Sequence, residues 1–274
     1  MLPLQHIYKQ FETEAVFYAW FISMHTRVDI VLNGKDEEQL MQITENIYRK
    51  LYALEKTGDF YNPSSELSAV NNTEKGIPRV VSNDLFTMIE MCISHNKRTD
   101  GYFDISIDSD DYTADTIKHL SISKKDQAVT LNQKGMKLNL SGFVKGYALD
   151  QIKEILAEKN INNALINIGN SSVLAIGNHP FGNGWKIGVT FPTATGNKEI
   201  VLIDKCLTTS GNHTACRKHI KSPYTGKYIE GINGISVITN SAADGEALST
   251  ALFAAEPEKR AGILRQFEAT VYSL

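Results

Sequence analysis

The sequence predicts an α+β fold, a mostly antiparallel sheet with a few amphipathic helices flanking it. Three observations lead there. Short runs rich in β-branched and aromatic residues recur at hairpin-like intervals along the chain. Apolar residues spaced three and four apart are concentrated in only a few segments. The two kinds of segment do not alternate as regularly as a doubly wound parallel sheet requires. The 274 residues are 42% hydrophobic, enough for a sizeable core. With seven prolines, no low-complexity run and no internal repeat, a single domain over residues 1–274 is expected.

In order, residues 15–23 and 26–32 read as two strands, with Met24 and His25 between them and Asn33-Gly34 ending the second. Asp36 caps a helix whose Leu40, Ile43, Ile47, Leu51 and Leu54 share one face, and Gly58 stops it. Residues 60–71 read as a polar loop. Ser82 caps a second helix through about His95, with Leu85, Phe86, Ile89, Cys92 and Ile93 as its apolar face, ending at Thr99-Asp100-Gly101. Strands are expected at 128–132, 137–140, 163–168, 172–176, 185–191, 199–204 and 234–240. Helices are expected at 143–158, 244–255 and 257–267, the last two divided by Pro257.

Charge is nearly balanced, 28 basic against 31 acidic residues, and the absence of a basic stripe argues against nucleic acid as a partner. The three cysteines, Cys92, Cys206 and Cys216, are scattered and odd in number. They fit neither a disulfide framework nor zinc spacing and are expected as buried or free thiols. The apolar stretch 15–24 is too short to span a bilayer, and the N-terminus has no basic start, long apolar run or cleavage site. The expectation is a soluble, cytoplasmic chain as given; a chain trimmed from a longer, exported one would look the same.

Residues 137–150 carry the most chemistry. A strand-like alternation turns at Ser141-Gly142 into a helix bearing Phe143, Val144, Tyr147, Ala148 and Ile152. Free N–H groups and the helix dipole at such a junction suit a phosphate or carboxylate, and a plain strand–helix connection is an equal reading on this segment alone. Lys145 lies in the first turn, where a purely structural helix favours an acid, so it more plausibly faces an anion. Tyr102-Phe103-Asp104 could stack on and hydrogen-bond to a flat heterocycle, or could simply start a strand. Glu246, Ser249 and Thr250 would share one helical face, a set of hard oxygens suited to Mg²⁺, though taken alone a solvated polar face is the preferred reading. His219, before Ser222-Pro223 and Gly226, is open to a structural or a catalytic reading. Thr209-Ser210-Gly211 reads as a small-residue turn able to approach a ligand.

The order of these features is more specific than any one of them. It runs from Met24 through Ser65-Glu66-Leu67-Ser68 with Asn71, Gly101-Tyr102-Phe103-Asp104 and the 138–150 segment. It continues through Asn167-Ile168-Gly169, Trp185-Lys186-Ile187-Gly188, Thr209-Ser210-Gly211, His219 with Pro223 and Thr225-Gly226, and Glu246 with Ser249-Thr250. This series resembles the ApbE family, the FAD:protein FMN transferases, from about Met24 to the last helix. The resemblance implies a T-fold-like α+β domain that holds FAD, uses Mg²⁺, releases AMP and places FMN on a Thr or Ser of a target protein. The implied partner is an acceptor flavoprotein subunit of a redox complex. Met24, Tyr102, Phe103, Asp104, Asn139, Lys145 and Ile220 fall at FAD-contact positions. The Gly142 carbonyl, Glu246, Ser249 and Thr250 fall at metal positions, and His219 is the candidate to assist deprotonation of the acceptor.

The chain departs from the family pattern at several points. Asn139, Glu246 and Ser222 stand where Asp is usual, and Ser141 where Gly is usual. Gly169-Asn170-Ser171-Ser172 replaces a Gly-Gly-Asp, and the segment between Asp104 and Asn139 is short. Two further functions therefore stay open: an FAD-binding protein with little or no transferase activity, and an FAD pyrophosphatase yielding AMP and FMN.

Overall fold

The first two long strands follow directly from period-two alternation. In β2 (Ala15–Ser23) the buried positions are Ala15, Phe17, Ala19 and Phe21, and in β3 (Thr26–Asn33) they are Val28, Ile30 and Leu32. The computed structural model describes residues 3–189, 198–212, 220–231 and 233–273. Before β2 runs the exposed strand β1 (Gln5–Gln10), too polar to be read as a strand. After β3 comes α1 (Glu37–Gly58), whose N-cap Asp36 accepts from the Gln39 N–H and whose apolar stripe is the expected one. Next are the short α2 (Glu66–Asn71), β4 (Arg79–Val80) and α3 (Asn83–Arg98), the last capped by Ser82. A 3-10 turn at Thr116–His119 leads into β5 (Leu120–Ser123) and β6 (Ala128–Leu131).

The second half contains α4 (Val144–Glu158), β7 (Ala164–Ile168), β8 (Ser172–Ile176), β9 (Trp185–Val189) and β10 (Lys198–Leu202). Then come β11 (Lys205–Asn212), β12 (Asn233–Thr239), α5 (Ala242–Ala254), α6 (Pro257–Leu264) and β13 (Ala269–Ser273). The main sheet has eight strands in the order β1-β2-β3-β7-β8-β11-β12-β13. Every neighbouring pair is antiparallel, as the α+β reading requires. β4, β6 and β5 form a separate small sheet.

The helices cover one face of the main sheet. Phe17, Ile30, Ile166, Leu174 and Val237 from the strands share a core with Ile47, Leu51, Leu85, Ala148, Leu149 and Leu248 from the helices. The β9–β10 hairpin covers the other face, where Val173, Ala175 and Leu207 meet Trp185, Ile200 and Leu202.

Three sequence readings need correction. Residues 137–140 are not a strand: the side-chain amide of Asn71 accepts from the Leu138 N–H at 2.8 Å and donates to its carbonyl at 2.9 Å. The Asn139 N–H donates to the Ile105 carbonyl, so this segment is paired without joining a ladder. Residues 60–71 are not all loop, because Ser65 caps α2 by accepting from the Ser68 N–H. Thr209, Ser210 and Gly211 lie inside β11, between β8 and β12, and not in a turn. A strand covered on both faces carries no polar alternation to betray it. Small residues there let α5 come close: a Cβ on Gly245 would lie 2.6 Å from Thr208 Oγ1. The expectation for 190–191 falls outside the described residues.

Candidate functional site

The site is organised where α4 crosses α5. Gly146 permits this crossing, because a Cβ there would lie 2.4 Å from the Ala242 carbonyl oxygen. Asp150, one turn further along α4, accepts from the Ala242 and Ala243 N–H groups and from Ser241 Oγ, tying α4 to the start of α5. Burial raises the Asp150 pKa above the ordinary carboxylate value despite those donors. Two residues of one sequence motif thus set the spacing and the angle between the helices.

That contact brings Lys145 to Glu246. Lys145 Nζ lies 2.6 Å from Glu246 Oε1 and donates to Ser172 Oγ at 3.0 Å, while Ser172 Oγ donates to the same carboxylate oxygen at 2.5 Å. The Glu246 side chain is 5% exposed and the Lys145 side chain 22%. A buried carboxylate needs such partners, since taking a charge out of water without them costs several kcal/mol. Next to it, Ser210 Oγ is 2.9 Å from Ser249 Oγ and 3.2 Å from Thr250 Oγ1. Ser172 pairs with Thr208 across β8 and β11, so Ser172, Thr208 and Ser210 point to the face beneath α5.

Above this layer the chain enters α4 without a side-chain cap. The Phe143 and Val144 N–H groups reach the Leu140 carbonyl, and among the described residues neither Lys145 nor Gly146 gains a backbone partner for its own N–H. Ser141 and Gly142 are exposed, and the space where a Gly142 side chain would point is open.

A second group forms around Asn139. Its Oδ1 accepts from the Ser141 N–H, and its Nδ2 donates to Asp108 Oδ2 at 2.7 Å. Lys221, next to Ile220, donates to Asp108 Oδ1 at 2.6 Å. Burial alone would raise the Asp108 pKa, but Lys221 and Asn139 outweigh it and hold it below the ordinary value. Tyr224 extends this contact: its hydroxyl donates to the Asp100 carbonyl and its ring lies 4.8 Å from that of Tyr102. The 220–228 segment is thereby fastened across the 100–108 stretch.

Tyr102 and Phe103 are 5% and 4% exposed, so in this conformation their rings are packed into the interior and offer no open face. The Tyr102 hydroxyl donates to Glu256, and Phe103 packs against His95 and Phe143. Asp104 accepts from Ser106 and Tyr112, with its pKa raised by burial. Met24 is half-buried in the β2–β3 turn, where its N–H donates to Glu55 Oε2. That turn is at the C-terminal end of α1, whose Gly58 faces Val144 at the start of α4.

Lys145 and Glu246 are therefore in contact, Ser249 and Thr250 adjoin them through Ser210, and Asn139 and Ile220 are linked through Asp108 and Lys221. No described contact joins Met24 directly to the rest. His219 and Cys216 lie outside the described residues, while Cys92 and Cys206 are buried free thiols. Sequence reasoning missed Ser172, Asp108 and Lys221. Ser172 was visible only as a departure beside Asn170, Lys221 only as the neighbour of Ile220, and Asp108 as one acid among several.

The pattern of the ApbE family matches residues 24–273. The chain belongs to the ApbE family. Among its relatives are the FAD:protein FMN transferase of Chlamydia pneumoniae, 26% identical over 81% of this chain and 78% of the relative. That of Escherichia coli K12 is 22% identical over 88% of this chain and 79% of the relative. Solved structures share the fold of this ApbE-family chain. The flavin transferase ApbE of Vibrio cholerae superposes with a TM-score of 0.82 at 20% identity, covering 99% of this chain and 94% of that one. The ApbE protein of Thermotoga maritima gives 0.80 at 22% identity, covering 93% of each chain.

Proposed function

We propose that this chain transfers FMN from FAD to a Thr or Ser of a target protein, with Mg²⁺ and with release of AMP. The observation that carries the reading is the buried Lys145–Glu246 contact beside an uncapped helix start, together with the family to which the chain belongs. It places a cation, a carboxylate and free backbone N–H groups together, a combination suited to a pyrophosphate.

Magnesium requires hard oxygen donors and tolerates few protein ligands. The Glu246 carboxylate and the Ser249 and Thr250 hydroxyls are all oxygen donors on one face of α5, and Ser210 supplies a neighbouring hydroxyl. This donor set fits Mg²⁺, with Glu246 as the main charge and the Gly142 carbonyl as a further ligand. When bound, the ion would neutralise charge on the phosphate oxygens of FAD.

The chain's own groups supply the rest. Lys145 brings a positive charge to the phosphates, and the Lys145 and Gly146 N–H groups are free to donate to them. Ser172 orients the Lys145 ammonium. Met24, the Tyr102–Phe103–Asp104 stretch, Asn139 and Ile220 are assigned to the flavin and adenosine parts of FAD. His219 is assigned to the acceptor hydroxyl. The acceptor is proposed to be a flavin-bearing subunit of a redox complex. No described helix is long and apolar enough to cross a membrane.

Incubation with FAD, Mg²⁺ and a peptide carrying an acceptor Thr tests the reading. AMP together with flavin-labelled peptide is the expected outcome. AMP with free FMN would instead identify a pyrophosphatase, and intact bound FAD a binding protein.

A further inference from the structure

Glu246 Oε1 already holds a cation, and that cation belongs to the chain. Lys145 Nζ and Ser172 Oγ both converge on this one oxygen, at 2.6 and 2.5 Å. Glu246 is the fixed end of the pair: it is buried on α5 and its backbone carbonyl accepts from Ser249 Oγ. Lys145 is the movable end, more exposed and carried on a long, rotatable side chain. Gly146 locks α4 against α5, so the ammonium cannot drift away with its helix and leaves only by rotation.

We propose that Lys145 is an internal competitor for the divalent cation, holding Glu246 until a phosphate-bearing substrate draws the ammonium away. This rests on the assignment of Glu246 as a metal ligand and adds to it an order of events. Among the described residues, no carboxylate other than that of Glu246 pairs with Lys145. Asp150 is engaged by the start of α5, and Asp244 by His95 and Arg98. Among the described residues, the N–H groups of Gly142, Lys145 and Gly146 have no hydrogen-bond partner, and an anion held by them would sit beside the exposed Ser141–Gly142 turn and the Lys145 side chain. The exchange balances in charge. The Nζ–H···Oε1 contact breaks, an Oε1–metal bond forms, and the ammonium re-pairs with a phosphate oxygen.

Two cations sharing one buried carboxylate oxygen repel strongly in a medium of reduced dielectric. Without substrate, the lysine therefore weakens metal binding; with substrate, metal and phosphate are captured together. The chain would then carry little metal in the absence of FAD.

The test is direct metal binding to the substrate-free protein. Free Mn²⁺ is followed by paramagnetic resonance and Mg²⁺ is measured as its competitor. Lys145→Met is expected to bind Mn²⁺ on the order of tenfold tighter than the wild type or more, although it loses FAD cleavage. Lys145→Arg, which keeps the cation, should bind as weakly as the wild type, and Glu246→Gln should not bind. Metal should also raise the melting temperature of Lys145→Met more than that of the wild type, since it restores a partner to Glu246. If Lys145→Met does not fold, Lys145→Gln serves in the same measurements. Equal or weaker binding by Lys145→Met or Lys145→Gln than by the wild type, with the wild type still binding through Glu246, overturns the competition alone. If no form binds, or Glu246→Gln binds as well as the wild type, the metal assignment falls and the competition with it.

Discussion

Glu246 is a single residue on which two requirements meet, burial and charge. Its carboxylate is satisfied by Lys145 and Ser172 within the protein, so replacing it would relieve a desolvated charge while removing the proposed metal ligand. Glu246→Ala is expected to abolish Mg²⁺-dependent FAD cleavage, by more than about a hundredfold for a loss of ~3 kcal/mol in transition-state stabilisation. Circular dichroism should remain native-like. Glu158→Ala, at the far end of α4, should leave the rate unchanged. Glu246→Asp should keep activity similar or higher, and full activity in Glu246→Ala would make the α5 face structural.

His25 supplies a pH test at the same scale. Its Nε2 lies 2.8 Å from Asp59 Oδ2, and that hydrogen bond, with the charges of Asp59 and Glu55, raises its pKa above 6.5. A raised histidine pKa stabilises the fold fully below 6.5, and the contribution is lost as pH rises through the folded-state value. The wild type should therefore lose stability relative to His25→Gln as pH is raised from 6 through that range. Parallel stability–pH curves for the two proteins would show that the pair contributes nothing.

Between elements, contacts are governed by what is missing as much as by what is present. Gly146→Ala would force a Cβ into the Ala242 carbonyl and Glu246 Cγ, at 2.4 and 2.6 Å. Overpacking of this kind costs about 1–3 kcal/mol. The expected result is a lower urea midpoint with an unchanged slope, together with weakened FAD binding, since the α4–α5 crossing sets the Lys145–Glu246 distance. Asn71→Leu should cost on the order of 2–4 kcal/mol, because it leaves the Leu138 N–H and C=O without their partner. A change below 0.5 kcal/mol would mean that water or a shifted backbone replaces the amide.

The same elements mark what could be read from residues alone. β2, β3 and α1 were legible because each has one buried face, and alternation or three-and-four spacing reports it. Residues 137–140 alternate just as well, yet their hydrogen bonds go to a side chain in a distant helix, which no local pattern encodes. β11 hid for the opposite reason, being enclosed on both sides. In the site, Lys145 and Glu246 were each readable as chemistry-bearing. Their direct contact was not, because it depends on Gly146 and Gly245 drawing α5 down between α4 and β11.

Across the whole molecule, one sheet carries two buried layers, the helices on one face and the β9–β10 hairpin on the other. We propose that they form a single cooperative unit over the chain. In a Trp20→Phe variant, Trp185 reports from beneath the hairpin, while far-ultraviolet circular dichroism reports mainly from the helices. Coincident urea transitions by the two probes are expected. A separate, earlier transition of Trp185 fluorescence would show that the hairpin layer melts on its own.

Most strand pairs in the main sheet join segments close in sequence, but β3 pairs with β7 across everything from α1 to α4. That seam closes the longest loop in the sheet, and its entropy must be lost before the pairing rewards it. Forming this seam is therefore expected to pace refolding, with the β2–β3 hairpin and the β7–β8 hairpin assembling first. A glycine-serine insertion at the exposed Lys124-Lys125 turn, inside the loop, should slow refolding, whereas the same insertion after Glu12, outside it, should not. Met24 lies before this seam and Glu246 after it, so Met24 is expected to join the rest of the proposed site only at the last stage of folding.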